Sequence, residues 1–199
     1  MLTHELSGVI FDLDNTLVTS SLNFDQIRSS LGCPTEKDLL DFIDSLPIGE
    51  RHEAKQMLIK FEMADAHDAK KLAGTDEILA LLTELNIPCA IVTRNCQQAA
   101  LTKIKNNGID ISLVLTREEH KAKPAPDALL YLAEYWKKPT DKILYVGDYL
   151  YDLQAAQNAN TMSCLLTYGR TLDYADLANL AVDDLTELSR AIALAFNGR

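Results

Sequence analysis

Five short apolar runs constrain this chain more than any other feature. They are SGVIF (Ser7–Phe11), PCAIVT (Pro88–Thr93), SLVLT (Ser112–Thr116), KILYVG (Lys142–Gly147) and MSCLLT (Met162–Thr167). None alternates apolar with polar residues. A strand with one wet face alternates; a strand covered on both faces does not. Helical patterns lie between most of these runs. TDEILALLTELN offers Thr75 as an N-cap, acids in its first turn, and Ile78, Leu81, Leu82 and Leu85 on one face. NCQQAALTKIKNNG starts at Asn95 and stops at Asn107-Gly108. PAPDALLYLAEYW opens with proline, which suits a first helical turn. The expected fold class is α/β, a doubly wound parallel sheet.

One stretch breaks the alternation. Residues 20–71 contain no convincing strand, and three helical patterns follow one another there: NFDQIRSSLG, TEKDLLDFIDSL and GERHEAKQMLIKFEMADAHDAKK. That length is too great for a plain loop in a compact domain. The expectation is a small all-helical cap at 20–71, inserted after strand 1 into a core made of 1–19 and 72–199.

Ligands of parallel α/β sheets bind beyond the carboxyl ends of the strands. The first strand ends in Asp12 and Asp14, with Thr16 close behind. The second ends in Thr93, then Arg94 and Asn95. Lys123 follows the third, and Asp148 and Asp152 follow the fourth. Four carboxylates in one place repel one another and raise some of their pKa values. A hard divalent cation with oxygen ligands resolves that conflict; Mg²⁺ takes one or two carboxylates together with water and a substrate phosphate. Lys123 supplies a point charge for phosphate, and the N–H groups opening the helix at Asn95 are aimed at an anion.

Composition narrows the alternatives. The 199-residue chain carries a formal net charge of −10. That is poor material for nucleic acid, which is held by Lys and Arg, or for an anionic membrane surface. No apolar run approaches the ~18 residues of a membrane span, and no basic-then-apolar leader is visible. The four cysteines form no C-x-x-C pair, so zinc spacing is absent. A reduced, cytoplasmic protein is expected, either monomer or homodimer. His4, His52, His67 and His120 are scattered and receive no catalytic role.

DLDNT, IVTRN, KPAPD and GDYLYD, in that order, resemble the four motifs of the haloacid dehalogenase-like hydrolase superfamily, and most closely its phosphoglycolate phosphatase-like branch with a helical cap. The resemblance implies roles. Asp12 is the nucleophile that becomes an aspartyl phosphate. Asp14 protonates the leaving alcohol and then takes a proton from water. Thr93, Arg94, Asn95 and Lys123 bind the phosphate. Mg²⁺ sits on Asp12 and Asp148 and on the backbone carbonyl of Asp14, with Asp152 and Thr16 supporting. The substrate is a small phosphorylated metabolite. An acid at Asp14 favours phosphatases over dehalogenases, because a departing halide needs no proton. A phosphosugar mutase of the same superfamily stays open, as does a receiver-like phosphorylation switch, which also gathers Asp, Thr and Lys on a parallel sheet. A catalytically silent relative is disfavoured by the intact motifs.

Overall fold

The computed structural model describes residues 5–197; His4 lies outside them. Its centre is a six-stranded, wholly parallel sheet in the order β3-β2-β1-β4-β5-β6. The strands are β1 (Gly8–Phe11), β2 (Cys89–Val92), β3 (Val114–Leu115), β4 (Ile143–Gly147), β5 (Met162–Leu166) and β6 (Leu180–Val182). The first five fall within the expected runs. β6 was not expected: it has three residues, its middle residue Ala181 is exposed, and a polar loop precedes it. So short an edge strand leaves no pattern to read; its pairing with β5 makes it a strand.

Helices cover both faces of the sheet. Val9 and Phe11 point into one core with α4 (Thr75–Glu84), α5 (Gln97–Asn106) and α8 (Leu185–Asn197). Ile10 and Tyr145 point into the other with α6 (Asp127–Trp136) and α7 (Leu150–Ala159). This is why the runs do not alternate: successive residues enter different but equally dry layers.

Three helix starts differ from expectation. Thr75 does not cap α4. Gly74 takes the cap position at φ 84°, and the buried Thr75 hydroxyl instead donates to the Leu17 carbonyl, 3.0 Å away. A Cβ at position 74 would lie 2.8 Å from the Thr186 nitrogen, so tertiary packing selects the glycine. α5 begins at Gln97, not Asn95, because the Asn95 side chain is used inside the site. At α6 the proline nearest the helix, Pro126, stands at the cap and not inside the first turn.

Between β1 and α4 run α1 (Phe24–Leu31), α2 (Leu39–Ser45) and α3 (Ile48–Asp68). Ile27, Leu39, Ile43, Ala54 and Leu58 form an apolar cluster of their own. The outgoing and returning segments lie side by side. Thr19 N–H donates to the Lys70 carbonyl (2.8 Å), and Leu72 N–H to the Leu17 carbonyl (2.9 Å). Among the described residues no helix is long and apolar enough to cross a membrane.

Candidate active site

β1 and β4 are neighbours, so their carboxyl ends bring Asp12 and Asp148 to the same edge. Asp12 N–H still donates to the Val146 carbonyl (2.8 Å), which fixes where its side chain leaves the sheet. Asp152 comes from the first turn of α7. The carboxylates of Asp12, Asp148 and Asp152 each offer an oxygen within 4.8 Å of the others.

Lys123 is buried among them. Its ammonium lies 2.7 Å from Asp12 Oδ1 and 2.7 Å from Asp152 Oδ1. Asp152 is held from all sides: the Tyr145 hydroxyl stands 3.1 Å from Oδ1, and Tyr149 N–H donates to Oδ2 at 3.0 Å. It shares the Lys123 ammonium with Asp12. Gly147 makes room for it, since a Cβ there would sit 2.3 Å from the Asp152 carboxyl. Gly147→Ala is therefore expected to displace Asp152, lower catalytic efficiency at least about tenfold through Lys123, and cost about 1–3 kcal/mol of stability. Steady-state kinetics and urea unfolding check both.

One lysine does not balance three acids. Burial, reinforced by Asp152 and Asp14 and opposed by Lys123, pushes the Asp12 carboxyl up to about 7. Burial, with Asp12 and Asp152, pushes Asp148 up to about 8 against Arg170. Burial works to lower Lys123, but Asp12 and Asp152 overturn it and raise the ammonium's pKa. Asp14 is also raised, its burial outweighing Lys103 and Asn95.

A pH dependence follows for protein stripped of metal. An unfolded carboxyl titrates near 3.8, and these folded ones near 7 and 8. Between those values the folded state binds more protons, so stability falls as pH rises. A divalent cation favours the ionised carboxylates and reverses this. At 100 times its Kd it adds about 2.7 kcal/mol, or about 5–10 °C in Tm for a chain this long. That gain is expected near pH 8 and is expected to shrink near pH 5.5, measured by thermal unfolding with and without chelator.

Thr93 is buried at the end of β2. Its hydroxyl oxygen accepts from Asn95 N–H (3.2 Å) and from the Asn95 amide (3.0 Å), so its own proton is free to donate. The same Asn95 amide reaches Asp14 Oδ2 at 2.9 Å. These groups, with Lys123 and Asp148, line a cavity of about 600 Å³ that α1 and α2 wall with Phe24, Arg28 and Leu39. Among the described residues no histidine lines it.

Two expected phosphate contacts are otherwise engaged. The Arg94 guanidinium pairs with Asp38 Oδ2 at 2.7 Å, reaches the Lys123 carbonyl, and lies 4.5 Å over the Tyr151 ring. Its charge is spent on the start of α2, which Asp38 also caps. The N–H groups opening α5 were expected to face an anion; the anion there is the protein's own Glu62. Glu62 Oε2 accepts from Cys96 N–H (3.1 Å), and its carboxylate is clamped by Arg117. Thr16 is buried in the turn after β1, and its hydroxyl meets no partner among the described residues.

A model of the haloacid dehalogenase-like hydrolase family matches residues 9–166. The chain belongs to that family. A haloacid dehalogenase-like hydrolase domain-containing protein of Arabidopsis thaliana is 28% identical over 173 residues, 81% of this chain and 71% of its own. A phosphoglycolate phosphatase of Vibrio vulnificus is 27% identical over 198 residues, 85% of this chain and 87% of its own. The crystal structure of a hydrolase from Pseudomonas syringae superposes with a TM-score of 0.78 at 20% identity, covering 94% of this chain and 98% of that one. That superposition shows a shared fold.

Other residues that build this family member's site were not among the expected ones: Lys103, Glu62, Asp65 and Tyr145. A signal for three of them was present. In α3 the buried positions are Ala54, Leu58, Glu62, Asp65 and Ala66, a single helical stripe that turns acidic as it nears the sheet. In α5, Lys103 shares the buried face of Ala99, Ala100 and Ile104. Charged residues in an apolar stripe are seldom buried without partners.

Proposed function

We propose that the protein is a Mg²⁺-dependent phosphatase that hydrolyses a small phosphorylated metabolite through an aspartyl phosphate on Asp12. The observation that carries this reading is the Asp12–Lys123–Asp152 chain, set beside Asp148 and the free Thr93 proton at the carboxyl edge of a parallel sheet. The phosphoglycolate phosphatase relatives support a small phosphate monoester as substrate.

The acidic group suits a hard cation. Its donors are carboxylate oxygens, they carry more negative charge than Lys123 offsets, and burial, reinforced by neighbouring acids, has raised the pKa values of Asp12 and Asp148. Asp12 and Asp148, with the Asp14 backbone carbonyl, would hold Mg²⁺. When bound it neutralises phosphate charge and the repulsion among the acids.

The chain's own residues do the rest. Lys123 fixes one oxygen of Asp12 and leaves the other to attack phosphorus. The Asp12 oxygen–phosphorus bond forms as the ester bond breaks, and Asp14 gives its proton to the departing alcohol. Asp14 then takes a proton from water, whose oxygen displaces Asp12 and releases phosphate. Thr93 and Lys123 hold phosphoryl oxygens through both steps. The helices of residues 20–71 act as a cap that walls the cavity and selects the alcohol. Free cysteines at positions 33, 89, 96 and 164 fit a reducing cytoplasm.

The test is continuous release of phosphate from p-nitrophenyl phosphate and from a panel of phosphorylated metabolites, with and without Mg²⁺. Many turnovers per chain, lost on chelation, are expected. A receiver-like switch would stop after one phosphoryl group, and a phosphosugar mutase would isomerise without releasing phosphate.

A further inference from the structure

Lys103 is completely buried, yet no step above uses it. Its ammonium contacts Asp14 Oδ1 and lies 2.7 Å from Asp65 Oδ2. Asp65 belongs to α3 and also accepts from Ser20 Oγ (2.9 Å), Ser21 N–H (2.6 Å) and Ser21 Oγ (3.0 Å), on the segment leading to α1. A pair joining α3 to α5 needs only Lys103 and Asp65. Here the same ammonium also takes Asp14, whose remaining oxygen is held by Asn95. Side-chain exposure is 4% at Asp65, 0% at Lys103 and 19% at Asp14. The buried chain thus opens towards the cavity only at the residue proposed to move protons.

We propose that Lys103 is a positioning residue: anchored by Asp65, it holds the Asp14 carboxyl where it meets the leaving oxygen of the substrate. The proposal rests on the reading of Asp14 as acid and base given above. A carboxyl that swings freely would often be absent when the alcohol departs, and an acid out of hydrogen-bond reach transfers no proton. Lys103 and Asn95, one from α5 and one from the end of β2, restrict that swing from two sides.

The experiment compares two esters. p-Nitrophenolate departs without a proton; a simple alkoxide, from propyl phosphate, does not. The ratio of kcat/KM becomes independent of any general loss of folded protein. Lys103→Met is expected to lower kcat/KM for propyl phosphate about 100-fold, the lower end of what positioned proton transfer supplies. The value for p-nitrophenyl phosphate is expected to fall less than about fivefold. Asp65→Asn, which keeps Lys103 and weakens its anchor, is expected to shift the ratio in the same direction by about tenfold at most. Adding Lys103→Met to Asp14→Asn is expected to change the propyl phosphate value no further, because the two act as one unit.

Equal losses on both esters, or a further loss in the double variant, would overturn the proposal. Lys103→Met leaves two acids unpaired and endangers folding; if it does not fold, the ratio in Asp65→Asn decides in its place, and an unchanged ratio there overturns the proposal. A selective loss in Asp14→Asn without one in Lys103→Met sinks the positioning role alone. No selective loss in Asp14→Asn itself sinks the acid–base reading, and the proposal with it.

Discussion

Asp12→Asn is expected to abolish phosphatase turnover, by about 10⁴-fold or more in kcat, because the proposed mechanism loses its attacking oxygen. The substitution is isosteric, and Lys123 keeps Asp152 as its partner. The variant should therefore fold, and without metal it should be more stable than the parent. Asp12 sits at a pKa of about 7 largely because burial penalises its charge and Asp152 and Asp14 repel it. Removing that charge relieves the cluster at pH 8, where the parent's carboxyl is ionised. Nucleophiles held in such surroundings trade stability for activity. Thermal unfolding in chelator at pH 8 and kinetics with Mg²⁺ measure the two sides. An inactive protein with unchanged or lower Tm would mean that the acids do not strain the fold. Retained turnover would mean that Asp12 is not the nucleophile.

Lys123→Met is expected to give the largest loss of stability. It leaves Asp12 and Asp152 buried without their shared cation, and breaking a buried pair costs about 3–5 kcal/mol. For a chain of this size that lowers Tm by about 6–20 °C. The loss has a pH signature. The Asp12 carboxyl, already pushed up to about 7 by burial, escapes the penalty by binding a proton, so the deficit should be greatest near pH 8 and shrink near pH 5.5. A pH-independent deficit would assign the effect to lost packing against Tyr145, whose ring lies 5.4 Å from the ammonium. Activity is expected to fall with stability, because Lys123 fixes Asp12 and, in the proposed mechanism, holds phosphate.

The meeting of Asp12 and Asp148 was legible because position along a parallel strand fixes where a side chain leaves the sheet. Asp12 and Asp148 each end an apolar strand, and parallel sheets place such ends together whatever lies between. Lys123 was legible for a different reason: alone it is an ordinary lysine before a proline, and only its order among DLDNT, IVTRN and GDYLYD marks it. Thr93 was legible as a strand end, but the proton it can donate was not. That depends on Asn95 turning its backbone and side chain onto the Thr93 oxygen.

Arg94 shows the limit. As a cation after a strand it reads as a phosphate ligand, yet Asp38, far off in sequence and carried on α2, takes its charge. The opening of α5 reads as an anion site, yet Glu62 of α3 fills it. Both competitors come from the helices that follow β1, and no local pattern states where those helices will lie.

The chain by itself determined the layered sheet, the helical stretch after strand 1 and the acids at the sheet edge, because buried strands and helices each repeat at their own short period. Only the tertiary structure decided which charges are spent and which are free: Arg94 and Glu62 neutralised by partners, Lys103 joined to Asp14, Asp148 left with too little positive charge. Burial and pairing are set by distances between elements remote in sequence, and a charge only partly offset in a dry site, as at Asp148 with Arg170 3.6 Å away, is what chemistry can use.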